Sequence, residues 1–104
     1  MIETFCDALL FEEGLAAASV ASYRNDLQLA ARLLDKPVRS FNADDVQNVL
    51  ARMMDLQRKP TSLAHMRTSL RRYFAWLAEN GYRHDNPTAR LEPARLQKPL
   101  PRSI

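Results

Sequence analysis

Two sets of polar side chains are spaced for chemistry, and that chemistry is hydrogen bonding to a polyanion. The first is Ser22, Arg24, Asn25, Gln28 and Arg32; the second is Thr61, Ser62, His65, Thr68, Arg71 and Arg72. Steps of three and four put such residues along one side of a helix. Ser22, Asn25 and Arg32 share the outer side of the first helix with Ala18, Ala21 and Leu29, and Arg24 and Gln28 flank them. Small residues there let a backbone come close to a surface. Thr61, His65, Thr68 and Arg72 share the outer side of the second helix, with Ser69 and Arg71 beside them. Hydroxyl, amide and guanidinium groups all donate, and a phosphate oxygen only accepts.

The charge distribution points the same way. The net charge is only +3, but residues 1–13 carry Glu3, Asp7, Glu12 and Glu13 with no Lys or Arg. Residues 56–78 carry Arg58, Lys59, Arg67, Arg71 and Arg72 with no acid. The last eleven residues add Arg95, Lys98 and Arg102, again without an acid. An acidic end followed by a basic middle suggests nucleic acid as the partner of the middle. Double-stranded DNA fits best, since a major groove about 12 Å wide admits one helix.

Other chemistry lacks its residues. His65 and His84 are far apart and neither has a second ligand at helical spacing, so no metal site and no catalytic residue is assigned. His84 beside Asp85 reads as a solvated turn. Cys6 falls on an apolar stripe and packs rather than reacts. Glu12 and Glu13 are adjacent and point apart. Gly14 and Gly81 are isolated, so there is no glycine-rich phosphate cradle and no cofactor is expected. The single cysteine allows no internal disulfide. No apolar run reaches the roughly 18 residues of a membrane span, and no signal segment opens the chain. A cytoplasmic setting is expected.

Four helical patterns position these residues. The first covers about 2–13, with Ile2, Phe5, Cys6 and Leu9 inward and Gly14 as its stop. The second covers about 17–35, with Val20, Tyr23, Leu27, Ala30, Ala31 and Leu34 inward and Pro37 beyond it. The third starts at Asn42 as N-cap, with Asp44 and Asp45 in its first turn and Val46, Val49, Leu50 and Met53 inward. The fourth starts after Pro60 with Thr61 or Ser62 as cap, buries Leu63, Met66, Leu70, Phe74 and Leu77, and closes at Gly81. Tyr23 and Tyr73 fall on the inward stripes, and Tyr82 follows Gly81 in a turn. Arg67 falls near the core edge, its stem over apolar surface and its head outward. Trp76 packs at an edge of its stripe. Phe11 lies opposite its stripe and either folds onto the Gly14–Leu15 turn or is an apolar contact for a partner chain.

No stretch alternates as a half-buried strand does. The expected fold is therefore all-α, a compact bundle of four short helices. A short turn or helix follows at Pro87–Leu91, then an extended, proline-rich basic linker. The expected division is 1–91 for the helical domain and 92–104 for the linker.

The residues also resemble a known family. Ile2-Glu3-Thr4-Phe5, then Gly14-Leu15 and Ser19-Val20-Ala21-Ser22-Tyr23-Arg24-Asn25-Asp26-Leu27, resemble the opening of the Xer branch of tyrosine recombinases and phage integrases. Ser69-Leu70-Arg71-Arg72-Tyr73-Phe74-Ala75-Trp76-Leu77, Asn86-Pro87-Thr88 and Leu100-Pro101-Arg102 resemble later motifs, in order. Asn25, Ala16 and Arg67 depart from the family's usual Arg, Ser and Leu. The resemblance implies a SAM-like, N-terminal core-binding domain that grips a recombination site through its second and fourth helices. It implies partner recombinase protomers in a tetramer on DNA. It also implies that the strand-cleaving tyrosine belongs to a catalytic domain absent from these residues. Chromosome dimer resolution and mobile-element integration both lie within that family. From the residues alone, a small helical protein-interaction module with a basic face is the alternative.

Overall fold

The computed structural model describes residues 1–89 and 91. The expected linker, 92–104, lies outside the described residues. Four helices follow one another: α1 (Ile2–Phe11), α2 (Ala17–Leu34), α3 (Ala43–Asp55) and α4 (Pro60–Glu79), with a 3-10 turn at Val38–Ser40. There is no strand among the described residues. The fold is all-α, as the periodicities predict.

Helix ends follow backbone chemistry more than composition. Asn42 accepts from the Asp45 N–H at 2.8 Å and the Asp45 carboxylate accepts from the Asn42 N–H at 2.9 Å, a complete capping box that starts α3. Lys36 also donates to Asp45 at 2.7 Å and, ahead of the Asn42 bond, holds that carboxyl below its ordinary range. The fourth helix corrects the expected cap. Lys59 is its N-cap and Pro60 its first residue, so neither Thr61 nor Ser62 caps it. Proline suits that position because its missing N–H would have had no intrahelical partner. Gly81 (φ +76) closes α4, with the Tyr82 N–H bonded back to the Leu77 carbonyl at 2.9 Å. Asp35 (φ 53) and Gln57 (φ 60) end α2 and α3 in the same left-handed way without being glycine. α1 stops at Phe11, two residues short of the expected end.

α2 is the central helix, packed against α1, α3 and α4, and α3 also meets α4. Phe5, Leu9, Val20, Leu27, Ala30, Val46, Val49, Leu50, Met53, Met66, Leu70, Phe74 and Leu77 are all buried, as the stripes predict. Val38 and Phe41, on the link between α2 and α3, join them at 2% and 0% exposure. Phe5 meets Tyr73 and Trp76 edge-on at 5.3 and 5.6 Å, so Trp76 is the expected edge residue. Arg83 staples the far end: its Nη1 donates to the carbonyls of Arg39 and Phe41, and its guanidinium lies 5.3 Å from the Phe74 ring centre. After it, Pro87–Ala89 forms a turn, and buried Thr88 donates to the Asn86 side chain from both its N–H and its hydroxyl.

Candidate nucleic-acid interface

α2 and the first half of α4 line a shared groove of about 340 Å³. α2 contributes Ser22, Asn25, Asp26 and Leu29; α4 contributes Thr61, Ser62 and His65; Met53 of α3 and Arg58 of the connection complete it. The fold thus brings together Ser22, Asn25, Thr61, Ser62 and His65 from both predicted sets.

The other predicted residues go elsewhere. Arg24 donates from Nε to Glu3 at 3.2 Å, beside α1. Gln28 lines a separate depression with Glu3, Val38 and Arg39. Arg32 is exposed in the last turn of α2 and is not a groove residue. The Thr68 hydroxyl donates to the Ala64 carbonyl at 3.2 Å. Arg71 donates to the Leu91 carbonyl at 2.7 Å, tying the Asn-Pro turn to α4. Arg72 donates to Glu13 at 2.6 Å and lies 5.5 Å from the Tyr23 ring centre. The physical reason is packing. α2 has neighbours on three sides, so its open stripe is narrower than the polar side of an isolated helix, and the arginines turn to the nearest acceptors, the Glu3 and Glu13 carboxylates and the Leu91 carbonyl.

Two groove residues escaped the sequence reading. Arg58 stands in the acid-free charge run, but its place depends on how α3 ends. Left-handed Gln57 lets the Arg58 N–H bond the Met53 carbonyl at 3.0 Å, which brings residue 58 back beside the helix. Asp26 is the one carboxylate among the groove's lining residues. Its Oδ2 accepts from the Ser69 hydroxyl at 2.6 Å and contacts the Nδ1 of His65. Ser69, expected at the side of α4, is therefore fully buried. Aspartate, histidine and serine meet here, yet both partners converge on one carboxylate oxygen. The histidine is not poised against the serine hydroxyl, so this is not a nucleophile-activating relay.

Other reactive groups are quiet. Burial pushes the Cys6 thiol up, against a smaller opposing pull from Arg24. Burial likewise pushes the Tyr73 phenol up to about 12, away from nucleophilic use. Among the described residues there is no group of three or more His, Cys, Asp or Glu suited to a metal, and no helix is long and apolar enough to cross a membrane. Arg67 keeps a buried Nε without a partner and lines an apolar depression with Met54, Pro60 and Leu63. Phe11 is 78% exposed, so it does not fold onto the Gly14–Leu15 turn.

The described residues form a four-helix domain without a strand. Residues 2–81 match the phage integrase N-terminal SAM-like domain, and the chain belongs to that family. It is 36% identical over 107 residues to the tyrosine recombinase XerD of Proteus mirabilis, covering 100% of this chain and 34% of that protein. It is also 36% identical to the XerD of Brucella suis biovar 1 (strain 1330), over 97% of this chain and 34% of that protein. The chain therefore spans about a third of the length of the curated relatives it matches. The integrase of mycobacterium phage Brujita shares the fold, with a TM-score of 0.83 over 98% of this chain and 34% of that one, at 20% identity.

Proposed function

We propose that this chain is the DNA-gripping domain of a site-specific tyrosine recombinase, and that the α2–α4 groove seats the backbone and groove edge of a duplex. The observation that carries the reading is the convergence of Ser22, Asn25, Arg58, Thr61, Ser62 and His65 on one open surface. The helix ends support it. α2 and α4 begin without a side-chain cap and without an acid in the first turn, whereas α3 has both. An uncapped helix start carries partial positive charge, which suits phosphate. In this reading residues 1–91 form the gripping domain and 92–104 the linker, while strand cleavage and joining lie outside the chain. Arg32, Arg71, Arg72, Arg24, Gln28 and Thr68 serve at the margins. Arg71 and Arg72 reach phosphates only by giving up their internal partners.

The exposed Phe11, with Glu12 and Glu13 beside it, favours a protein contact made by α1. We assign that contact to a neighbouring recombinase protomer on the same DNA. The grip itself is tested by titrating a labelled duplex at several salt concentrations. With three to five basic groups on phosphates, log affinity is expected to fall against log salt with a slope of about −3 to −5. Binding that is absent at low salt, or indifferent to salt, overturns the reading.

A further inference from the structure

The groove holds a carboxylate at its wall, and a carboxylate is the wrong charge for a surface that seats phosphates. Asp26 is nevertheless built in. Buried Ser69 donates to it from α4, and its side chain is only 20% exposed. It also contacts Nδ1 of His65, whose side chain is 45% exposed and lines the groove. The imidazole plane is set as well, stacked on Tyr23 with ring centres 5.7 Å apart and 20° between planes.

We infer that Asp26 is a positioning residue for His65: it claims Nδ1, so an anion entering the groove meets Nε2, and closing the grip takes up a proton. The inference rests on the duplex-binding reading above. A neutral imidazole has one donor nitrogen and one acceptor nitrogen. An ionised carboxylate only accepts, so it takes the N–H, and the neutral ring turns a lone pair toward the groove. A phosphate oxygen also only accepts, and it meets that lone pair with repulsion. Protonating Nε2 converts repulsion into a charge-assisted bond. The imidazolium then lies between two anions, one fixed and one arriving.

The surrounding charges allow this. α2 supplies Asp26 and the Tyr23 ring, against which Arg72 of α4 also lies. The connection before α4 supplies Arg58, whose charge opposes protonation, and α3 supplies only Met53 to the groove. Ser22, Asn25, Thr61 and Ser62 are uncharged.

The test is affinity for a labelled duplex from about pH 5.5 to 8.5 at fixed salt, for the parent chain, Asp26→Asn and His65→Gln, with folding checked by circular dichroism. Calorimetry in two buffers of different ionisation enthalpy counts the protons taken up. The parent is expected to bind about tenfold more tightly at pH 6 than at pH 8 and to take up close to one proton above neutrality. Both substitutions are expected to flatten the profile and abolish the buffer difference. His84 is present in every variant, so it does not distinguish them. If Asp26→Asn does not fold, the imidazole nitrogen shifts of His65 in the parent decide: a proton on Nδ1 with a bare Nε2 in the free neutral ring is expected, and the opposite tautomer overturns the inference. A flat parent profile with salt-dependent binding overturns this inference and leaves the grip standing. Salt-dependent binding at no pH overturns both.

Discussion

Replacing Phe74 by alanine is expected to cost about 3–5 kcal/mol of folding stability, the range for emptying a fully buried aromatic site. Phe74 is fully buried, touches Tyr73 edge-on at 5.4 Å and lies against the Arg83 guanidinium. It therefore holds α4 to the core and anchors the staple that joins the end of α4 to the link before α3. A domain of this size has roughly 5–15 kcal/mol in all, so the variant keeps little reserve. The melting temperature followed by circular dichroism is expected to fall by about 15–25 °C. A fall of only a few degrees contradicts the placement of the core at this residue.

The second large effect concerns the groove. Arg58→Glu is expected to lower duplex affinity by about 30- to 100-fold at low salt, because a phosphate contact is replaced by a repulsion. The backbone at residue 58 is held through its N–H, so the substitution leaves the end of α3 intact. Arg52→Glu is the matched control. It changes net charge equally, is exposed on α3 and does not line the groove, so its effect is expected to stay within about threefold. Comparison at one salt concentration separates a seated contact from general electrostatics. If the Arg52 variant loses as much as the Arg58 variant, affinity comes from overall charge and the groove has no special part.

The two substitutions mark what composition and periodicity make legible. The apolar stripes place Phe74, Leu70, Leu27 and Val49 correctly, because burial at steps of three and four is a property of one helix at a time. Asn42 is legible as a cap for the same reason: its partners lie within one turn. Val38 and Phe41 carry no periodic pattern, being too few, and their burial follows from how α2 and α3 close on each other. The candidate site divides along the same line. Ser22, Asn25, Thr61, Ser62 and His65 share a groove because the open side of each helix faces the same way. Arg24, Arg71 and Arg72 lie on or beside the outer sides of their helices by spacing alone, but Glu3, Leu91 and Glu13 lie 21, 20 and 59 residues away in sequence and capture them. Asp26 and Ser69 meet across 43 residues, and Arg58 reaches the groove only through a left-handed glutamine that nothing in the local sequence demands.

In the proposed grip one groove, between α2 and α4, seats duplex DNA. Amide chemical shifts of the labelled chain during titration with a duplex at low salt test it most directly. The largest changes are expected to cluster at Ser22–Leu29 and Arg58–His65, while the capped start of α3 around Asn42–Val46 stays unmoved. Changes concentrated instead on α1 around Phe11–Glu13, with the groove unmoved, would show that the duplex is not held there and contradict it.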